Sequence, residues 1–306
     1  MSLRYLVVGY GNIGHKRQKV LGKRCIATVD IDPTQKPDFL DSSLVPEKLL
    51  PKFQAVIIAT SQQPKLDLME YWIKKGKHIL VEKPLLLNSQ QSKRIKLLAR
   101  KYHVYWYSGY NHRFEPNIVK IQRLLKSDFI GPLYHARFVY SFGDIKTRIA
   151  TWRGTKFGVL EEIAPHLIDF ANLFFGYHGN DFELLLARKV ESNIFDHWQF
   201  CTTDKKIIFE TSSVSWKNVF SIDIYGAKGS IHVNGLSKWE GSELITRKRV
   251  IPFGIPPEKR SFTKGPDKTW KKDITCFEKM IKNKKTSSEG DLLISTALSK
   301  ITSGLS

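Results

Sequence analysis

The sequence has few cysteines, and they lie far apart. Cys25, Cys201 and Cys276 are the three cysteines among 306 residues, and no two of them form a Cys-x-x-Cys pair. This odd number and wide spacing argue against a disulfide framework and against a thiolate zinc site. We therefore expect no metal centre and a reduced, cytoplasmic compartment.

Long apolar runs are missing as well. No segment approaches the roughly 18 apolar residues that a helix needs to cross a bilayer. Residues Met1–Arg4 lead directly into a strand-like run, without the longer apolar stretch and cleavage site of a signal peptide. These features predict a soluble protein with no membrane partner.

Acidic residues are scarce relative to basic ones. The 29 Asp and Glu residues stand against 49 Lys and Arg, for a formal net charge of +20. Such an excess is common on nucleic-acid-binding surfaces. Here it is spread through both halves of the chain, with no block of about five or six like charges and no recognition motif. We expect a basic surface that helps to attract an anionic small molecule, and no nucleic-acid partner.

The first part of the chain, residues 1–112, alternates strands with helices. Apolar runs predict strands at 4–8, 25–32, 54–60, 78–82 and 104–107. Apolar periodicity predicts helices at 16–21, 66–75 and 90–101. This alternation is typical of an α/β fold with a doubly wound parallel (Rossmann) sheet.

The pattern changes in residues 113–306, which we assign to a second, α+β domain. Strand-like alternation with hairpin turns at 204–206 and 227–229 predicts a mainly antiparallel sheet. Helices are predicted at 118–125, 167–175, 270–282 and 291–301, packed on one face of that sheet.

The first predicted strand runs into a Gly-x-Gly-x-x-Gly loop that precedes a helix. In a dinucleotide site Gly9 permits the tight turn, Gly11 lets the backbone approach a pyrophosphate, and Gly14 lets helix and strand pack closely. The N–H groups at the start of the following helix then face the phosphate, and Asn12 and Ile13 of the loop are further expected cofactor contacts. The alternative is a purely structural turn.

Asp30 ends the second predicted strand, 21 residues after Gly9. A carboxylate there can accept hydrogen bonds from the ribose hydroxyls of NAD and repels the 2′-phosphate of NADP, so NAD is favoured as the cofactor. The alternative is a solvated aspartate. Lys16 and Arg17 either add charge near the phosphates or form the exposed side of the helix.

The fourth predicted strand ends in Glu82-Lys83-Pro84. Pro84 biases the residue before it towards extended backbone, so Lys83 leaves the strand end in a defined direction. The carboxyl ends of strands in a doubly wound sheet face the ligand crevice. A lysine there can contact a cofactor ribose or a reacting hydroxyl, although this tripeptide is also common in surface turns.

Taken in order, these motifs resemble the Gfo/Idh/MocA oxidoreductase family. The resemblance rests on the glycine loop, Asp30, 59–60, 82–84, 110–114 and 158–169. It implies an NAD-dependent enzyme that transfers hydride between the nicotinamide and a carbinol or ketone carbon of a sugar, cyclitol or nucleotide sugar. The alternative is a catalytically degenerate NAD-binding sensor or accessory protein.

The resemblance also assigns site residues. It implies that Lys83, His166 and Glu162 are catalytic. Histidine suits either acid or base catalysis because its ordinary pKa, about 6.5, lies near working pH, although His166 could instead be a core histidine. Cofactor contacts beyond the loop and Asp30 are Thr60, Glu82 and Lys83. The implied substrate contacts are Asn111, Arg113, Trp152, Arg153 and Asp169, the last of which could orient the His166 ring.

The sequence departs from the family pattern at two places. Residues 61–65 read Ser-Gln-Gln-Pro-Lys, where family members often carry proline, asparagine and histidine. Pro165 directly precedes His166, and proline is tolerated only in the first turn of a helix. We therefore expect this helix to begin near Ile163, with Glu162 at its cap.

A one-sided antiparallel sheet leaves an open face, which the family commonly covers with another subunit, so a homodimer or homotetramer is expected. Large apolar side chains lie on the candidate strands at Trp198, Phe200, Phe209 and Trp216. Some of these must be core residues, and the sequence leaves open which.

Overall fold

The computed structural model describes residues 3–146, 154–286 and 288–305. The chain forms two compact units. The first comprises Met1–Asn111 and Trp270–Leu292, and the second comprises His112–Thr269 and Leu293–Ser306.

The first unit contains a five-stranded parallel sheet in the order β2-β1-β3-β4-β5. Its strands are β1 Tyr5–Val8, β2 Cys25–Val29, β3 Ala55–Ile58, β4 His78–Glu82 and β5 Trp106–Gly109. Its first helices are α1 Asn12–Leu21, α2 Lys65–Lys74 and α3 Ser89–Lys101. The predicted doubly wound parallel sheet is confirmed.

The second unit contains an eight-stranded sheet in the order β13-β12-β11-β10-β6-β9-β8-β7. Its strands are β6 Leu133–Ser141, β7 Phe182–Arg188, β8 His197–Thr202, β9 Ile207–Ser212, β10 Val219–Gly226, β11 Gly229–Asn234, β12 Ser242–Lys248 and β13 Glu258–Thr263. The remaining helices of the chain are α4 Pro116–Lys126, α5 Val159–Phe175, α6 Thr269–Lys282 and α7 Ser288–Thr302. Short 3-10 turns occupy Gly22–Arg24, Pro33–Gln35, Ser42–Leu44, Glu47–Lys52, Asn111–Phe114 and Gly179–Asp181.

Both faces of the parallel sheet are covered, which explains why its central strands are continuous apolar runs. On one face Leu6 and Ile58 pack in the cluster that contains Trp72 of α2 and Ile95 of α3. On the other face α1 and α6 supply the cover, and the packed side chains include Tyr5, Val7, Leu21, Ile274 and Phe277.

Residues 270–292 therefore belong to the first unit, although the sequence analysis placed them in the second domain. Helical periodicity predicted α6 but could not indicate which sheet receives its apolar face. Ile274 and Phe277 are fully buried against the parallel sheet. The return of the chain makes this unit discontinuous in sequence.

The sheet of the second unit is antiparallel except between β6 and β9, which pair in parallel. The two predicted hairpin turns connect β8 to β9 and β10 to β11. Trp198, Phe200 and Phe209 are fully buried, whereas Trp216 is 88% exposed and precedes β10. Three of the four large aromatic residues on candidate strands are thus core residues.

Within 3–146, 154–286 and 288–305, no helix is long and apolar enough to cross a membrane. The same ranges contain no group of three or more His, Cys, Asp or Glu side chains that could hold a metal ion.

Candidate functional site

The glycine loop is shaped by two close backbone approaches. Gly9 has a φ of +88°, and a Cβ at this position would lie 2.6 Å from the carbonyl carbon of Ala59. A Cβ on Gly14 would lie 2.1 Å from the carbonyl oxygen of Gly9. A Cβ on Gly11, in contrast, would meet nothing within 4 Å. Two of the glycines are thus required by packing, and the third borders open space.

That open space lies at the N-terminus of α1. Gly11 is the N-cap and offers no side-chain hydrogen bond, and the first turn contains no acidic residue. The N–H groups of Asn12, Ile13 and Gly14 lie in this first turn, where an α-helix provides no backbone acceptor. An uncapped helix N-terminus beside an empty Cβ position fits the pyrophosphate of a dinucleotide.

Asp30 directly follows β2, and its carboxylate is held by the backbone. One oxygen accepts from the N–H of Tyr10 at 2.5 Å and the other from the N–H of Asp32 at 2.9 Å. A carboxylate has about four acceptor positions, so these bonds leave capacity for ribose hydroxyls. Hydrogen bonds from the Thr34 hydroxyl and amide lower the pKa of Asp32, which is partly exposed. The end of β2 therefore presents two negative charges.

Arg17 is fully buried, which corrects the interpretation that it lies on the exposed side of its helix. Its Nε donates to Glu82 at 2.6 Å and its Nη2 to Asp273 at 2.5 Å. Tyr107 donates a further hydrogen bond to Asp273 at 2.7 Å, and the Trp270 ring lies 4.6 Å from the guanidinium carbon. We call Arg17, Glu82 and Asp273 the buried charge cluster.

The structure gives Glu82 a protein partner, whereas the sequence suggested a cofactor contact. Its carboxylate is largely buried and binds Arg17. Burial raises the pKa of Glu82, and the positive charge of Arg17 opposes this rise. The negative charge of Asp273 adds to the rise, because the two carboxylates share one cation.

Lys83 lies in the turn after β4, and the Lys83–Pro84 peptide bond is cis. Its side chain is half-buried. The carbonyl oxygens on both sides of it, those of Glu82 and Pro84, accept hydrogen bonds from Lys65 at 2.7 and 2.6 Å. A buried side chain that the sequence analysis did not select thus fixes this turn.

The segment after β3 packs along the same turn. Gln62 donates to the carbonyl of Leu86 at 2.9 Å and accepts from its N–H at 3.3 Å. Thr60 is half-buried, and its hydroxyl donates to the carbonyl of Ser61 at 3.0 Å.

In the second unit, the helix that carries His166 begins earlier than the sequence analysis predicted. α5 starts directly after Gly158, whose φ is +43°, and it contains Pro165 in its interior. Leu160 and Ile163 are buried on this first turn, and their packing outweighs the one hydrogen bond that the proline removes. Glu162 therefore lies within the helix, one turn before His166, and not at its cap.

His166 is only 2% exposed and faces a second histidine. The ring centroids of His166 and His112 are 4.0 Å apart. At the Nε2 atom of His112 lie the Tyr140 hydroxyl at 3.5 Å and the Lys238 ammonium at 3.3 Å. The Tyr140 ring centroid lies 6.2 Å from that of His166. We call these four residues the histidine cluster.

The carboxylate of Asp169 is held by Arg113. Its carboxylate accepts from Nε of Arg113 at 2.7 Å and from Nη2 of the same guanidinium, a bidentate ion pair. Arg113 and Asp169, both expected substrate contacts, therefore bind each other. Asn111 is buried in a 3-10 turn.

The remaining expected substrate contacts, Trp152 and Arg153, lie outside the described residues. Lys156, a candidate anion contact, is exposed and donates to the carbonyl of Leu305 at 3.3 Å.

Sequence reasoning missed Asp273 of the buried charge cluster and three members of the histidine cluster. His112 stands inside the 110–114 motif and could have been selected with its neighbours. Tyr140 and Lys238 carry no local signal, because they come from a strand and a turn far along the chain. Lys65 lies in the stretch 61–65 that departs from the family pattern, and only its contacts reveal what it binds.

Comparison with known proteins adds a family match for the first unit. The family model for "Oxidoreductase family, NAD-binding Rossmann fold" (GFO_IDH_MocA) matches residues 3–110. The chain is 23% identical over 223 residues to trans-1,2-dihydrobenzene-1,2-diol dehydrogenase of Xenopus laevis, covering 70% of this chain and 66% of that enzyme. It is 22% identical to scyllo-inositol 2-dehydrogenase (NADP(+)) of Bacillus subtilis, covering 81% and 73%. The chain spans slightly less than two thirds of the first of these relatives.

Solved structures match the fold over nearly the whole chain. A 3-ketoreductase from Actinomadura kijaniata in complex with NADP and TDP-benzene has a TM-score of 0.77 at 15% identity, covering 99% of this chain and 98% of that one. Levoglucosan dehydrogenase in complex with NADH has a TM-score of 0.77 at 17% identity, covering 98% of each. Identities this low support the fold alone.

Proposed function

We propose that this chain is a nicotinamide-dependent oxidoreductase, because its residues 3–110 match the family model for NAD-binding Rossmann oxidoreductases (GFO_IDH_MocA). It transfers hydride between the nicotinamide and a carbinol or ketone carbon of a sugar, cyclitol or nucleotide sugar. The names of the relatives support this class, since they include dehydrogenases of a diol, an inositol and levoglucosan.

The observation that carries the proposal is the open N-terminus of α1. A loop that needed glycine only to fold would not require Gly11, because its Cβ position is empty and its φ of −73° suits any residue. A pyrophosphate that approaches the backbone at this point does require it. The bound cofactor accepts or supplies the hydride.

The preferred cofactor is NAD. Asp30 and Asp32 supply two carboxylates at the end of β2, where the adenosine ribose of a dinucleotide lies. A 2′-phosphate adds negative charge there, and carboxylates repel it. We expect a dissociation constant for NADH well below that for NADPH.

The protein residues move the proton that accompanies the hydride. Oxidation of an alcohol leaves its hydroxyl proton on a base, and reduction of a ketone takes a proton from an acid. His166 is the proposed acid and base, and Lys83 stabilises negative charge on the reacting oxygen. Glu162 is the proposed acidic partner of His166, one helical turn away. Tyr140 and Lys238 contact the neighbouring His112.

Gly11→Val tests the cofactor site. Valine fits the open space without strain, so we expect the midpoint of thermal unfolding to stay within about 2 °C of that of the wild type. It blocks the pyrophosphate, and we expect NADH to bind about 30-fold more weakly, or about 2 kcal/mol. Fluorescence titration measures the affinity and calorimetry the unfolding.

Gly14→Ala is the matched contrast. Its methyl group meets the carbonyl oxygen of Gly9, so stability should fall by about 1–3 kcal/mol together with binding. Normal NADH affinity in Gly11→Val would contradict the proposed cofactor site. Tight binding by the wild type without turnover of scyllo-inositol, myo-inositol, levoglucosan or a nucleotide sugar would favour a sensor over an enzyme.

A further inference from the structure

Lys65 is the first residue of α2, and its side chain is 2% exposed. Its ammonium donates to the carbonyl oxygens of Glu82 and Pro84 at 2.7 and 2.6 Å. These are the two carbonyls that flank Lys83 in the chain. One buried side chain thus holds the backbone on both sides of the residue to which we assign a role in the reaction.

The position of Lys65 is electrostatically unfavourable for a cation. Burial lowers its pKa to about 7, Glu82 opposes the shift, and the charge of Lys83 adds to it. The Glu82 carboxylate is bound by Arg17. A neutral amine keeps two N–H donors, so both hydrogen bonds to the turn persist when Lys65 loses its proton.

We propose that Lys65 is a positioning residue for Lys83: its two hydrogen bonds fix the turn on both sides of the Lys83 backbone. The proposal rests on the proposed function, in which Lys83 stabilises charge on the reacting oxygen. The effect of Lys65 reaches the reaction through the direction in which the turn presents Lys83.

The chain supplies a matched control in Lys77. This lysine is also largely buried, and its ammonium also donates to two backbone carbonyls, those of Leu50 and Phe53, at 2.6 and 2.9 Å. Burial lowers its pKa too. Its two carbonyls belong to the segment before β3 and not to the Lys83 turn. Removing Lys77 therefore removes the same kind of interaction without touching Lys83.

The experiment compares Lys65→Met with Lys77→Met by competitive acetylation. Each protein reacts with trace acetic anhydride between pH 6 and 11, and mass spectrometry follows the Lys83 peptide. We expect Lys83, which is half-buried, to react about 3- to 10-fold faster at pH 8 in Lys65→Met, because loss of the two hydrogen bonds frees the turn, and to react at the wild-type rate in Lys77→Met. This measurement requires no substrate and no bound cofactor.

Activity gives the second readout. With a substrate found by the panel above, Lys65→Met should lower kcat about 10-fold with little change in KM, and Lys77→Met should change neither. Lys65→His, which keeps a donor of different shape, is the second variant if methionine prevents folding, and it should recover part of kcat. An unchanged Lys83 acetylation profile in Lys65→Met or Lys65→His would overturn the proposal. Failure of NADH to bind the wild type would instead overturn the proposed function.

Discussion

Replacing Lys83 with methionine is expected to lower kcat by about 10²- to 10⁴-fold, the range of a well-placed group that assists proton transfer. The substitution keeps the length and the apolar stem of the side chain and removes its charge. The turn itself should persist, because Lys65 binds the carbonyls of Glu82 and Pro84 and not the Lys83 side chain. We therefore expect the affinity for NADH to change by less than about threefold.

His166→Asn should show a loss of similar size, because asparagine can hydrogen-bond but cannot exchange a proton at neutral pH. Steady-state kinetics with the best substrate of the panel measure both variants. Lys75→Met, at the exposed end of α2, is the control for loss of a surface lysine and should leave kcat unchanged. If Lys83→Met or His166→Asn kept more than about a third of the wild-type kcat, that residue would not take part in the chemical step.

The largest expected effect on stability comes from Arg17→Met. The substitution leaves the carboxylates of Glu82 and Asp273 buried without their shared cation, and breaking a buried ion pair in this way costs about 3–5 kcal/mol. Methionine fills most of the space beneath the Trp270 ring, so loss of packing is a small part of the effect. Urea unfolding monitored by circular dichroism gives the free energy of unfolding.

The loss of stability in Arg17→Met should increase as the pH rises. Burial already raises the pKa of Glu82 in the native protein, and removing Arg17 raises it further. A carboxyl group whose folded pKa is raised stabilises the fold fully below its unfolded pKa, near 4.3, and loses that contribution as pH rises through the folded value. Arg17→Met should therefore be closest to the wild type in stability near pH 5 and fall away towards pH 8.

Substitutions that remove the charges of Glu82 and Asp273 provide the control. Glu82→Gln and Asp273→Asn combined with Arg17→Met should recover stability and abolish the added pH dependence, because no unpaired charge remains. If Arg17→Met alone lost less than about 1 kcal/mol of stability, or lost the same amount at all pH values, water would have to reach the buried charge cluster.

The sequence predicted features that a short segment determines alone. The glycine loop and the Lys83 turn were found because their spacing and their place between a strand and a helix are local properties. The parallel sheet followed from continuous apolar runs, whose burial does not depend on which helix covers them.

The sequence did not predict contacts between residues that lie far apart in the chain. Arg17 has no local mark of burial, because its partner Asp273 lies 256 positions away. The contact between His112 and Lys238 spans 126 positions. The start of α5 was placed too late for a different reason. The rule for proline was applied without the apolar contacts of Leu160 and Ile163, which favour an earlier start.

The discontinuity of the first unit has a consequence for the order in which the protein is made. A ribosome adds about 5–20 residues per second, so roughly 13–50 s separate the synthesis of Arg17 from that of Asp273. During this interval the face of the parallel sheet formed by Tyr5, Val7 and Ile57 lacks the side chains of Ile274 and Phe277. The nascent chain thus carries an uncovered apolar face and an incomplete ion cluster until the segment His112–Thr269 of the second unit has been synthesised.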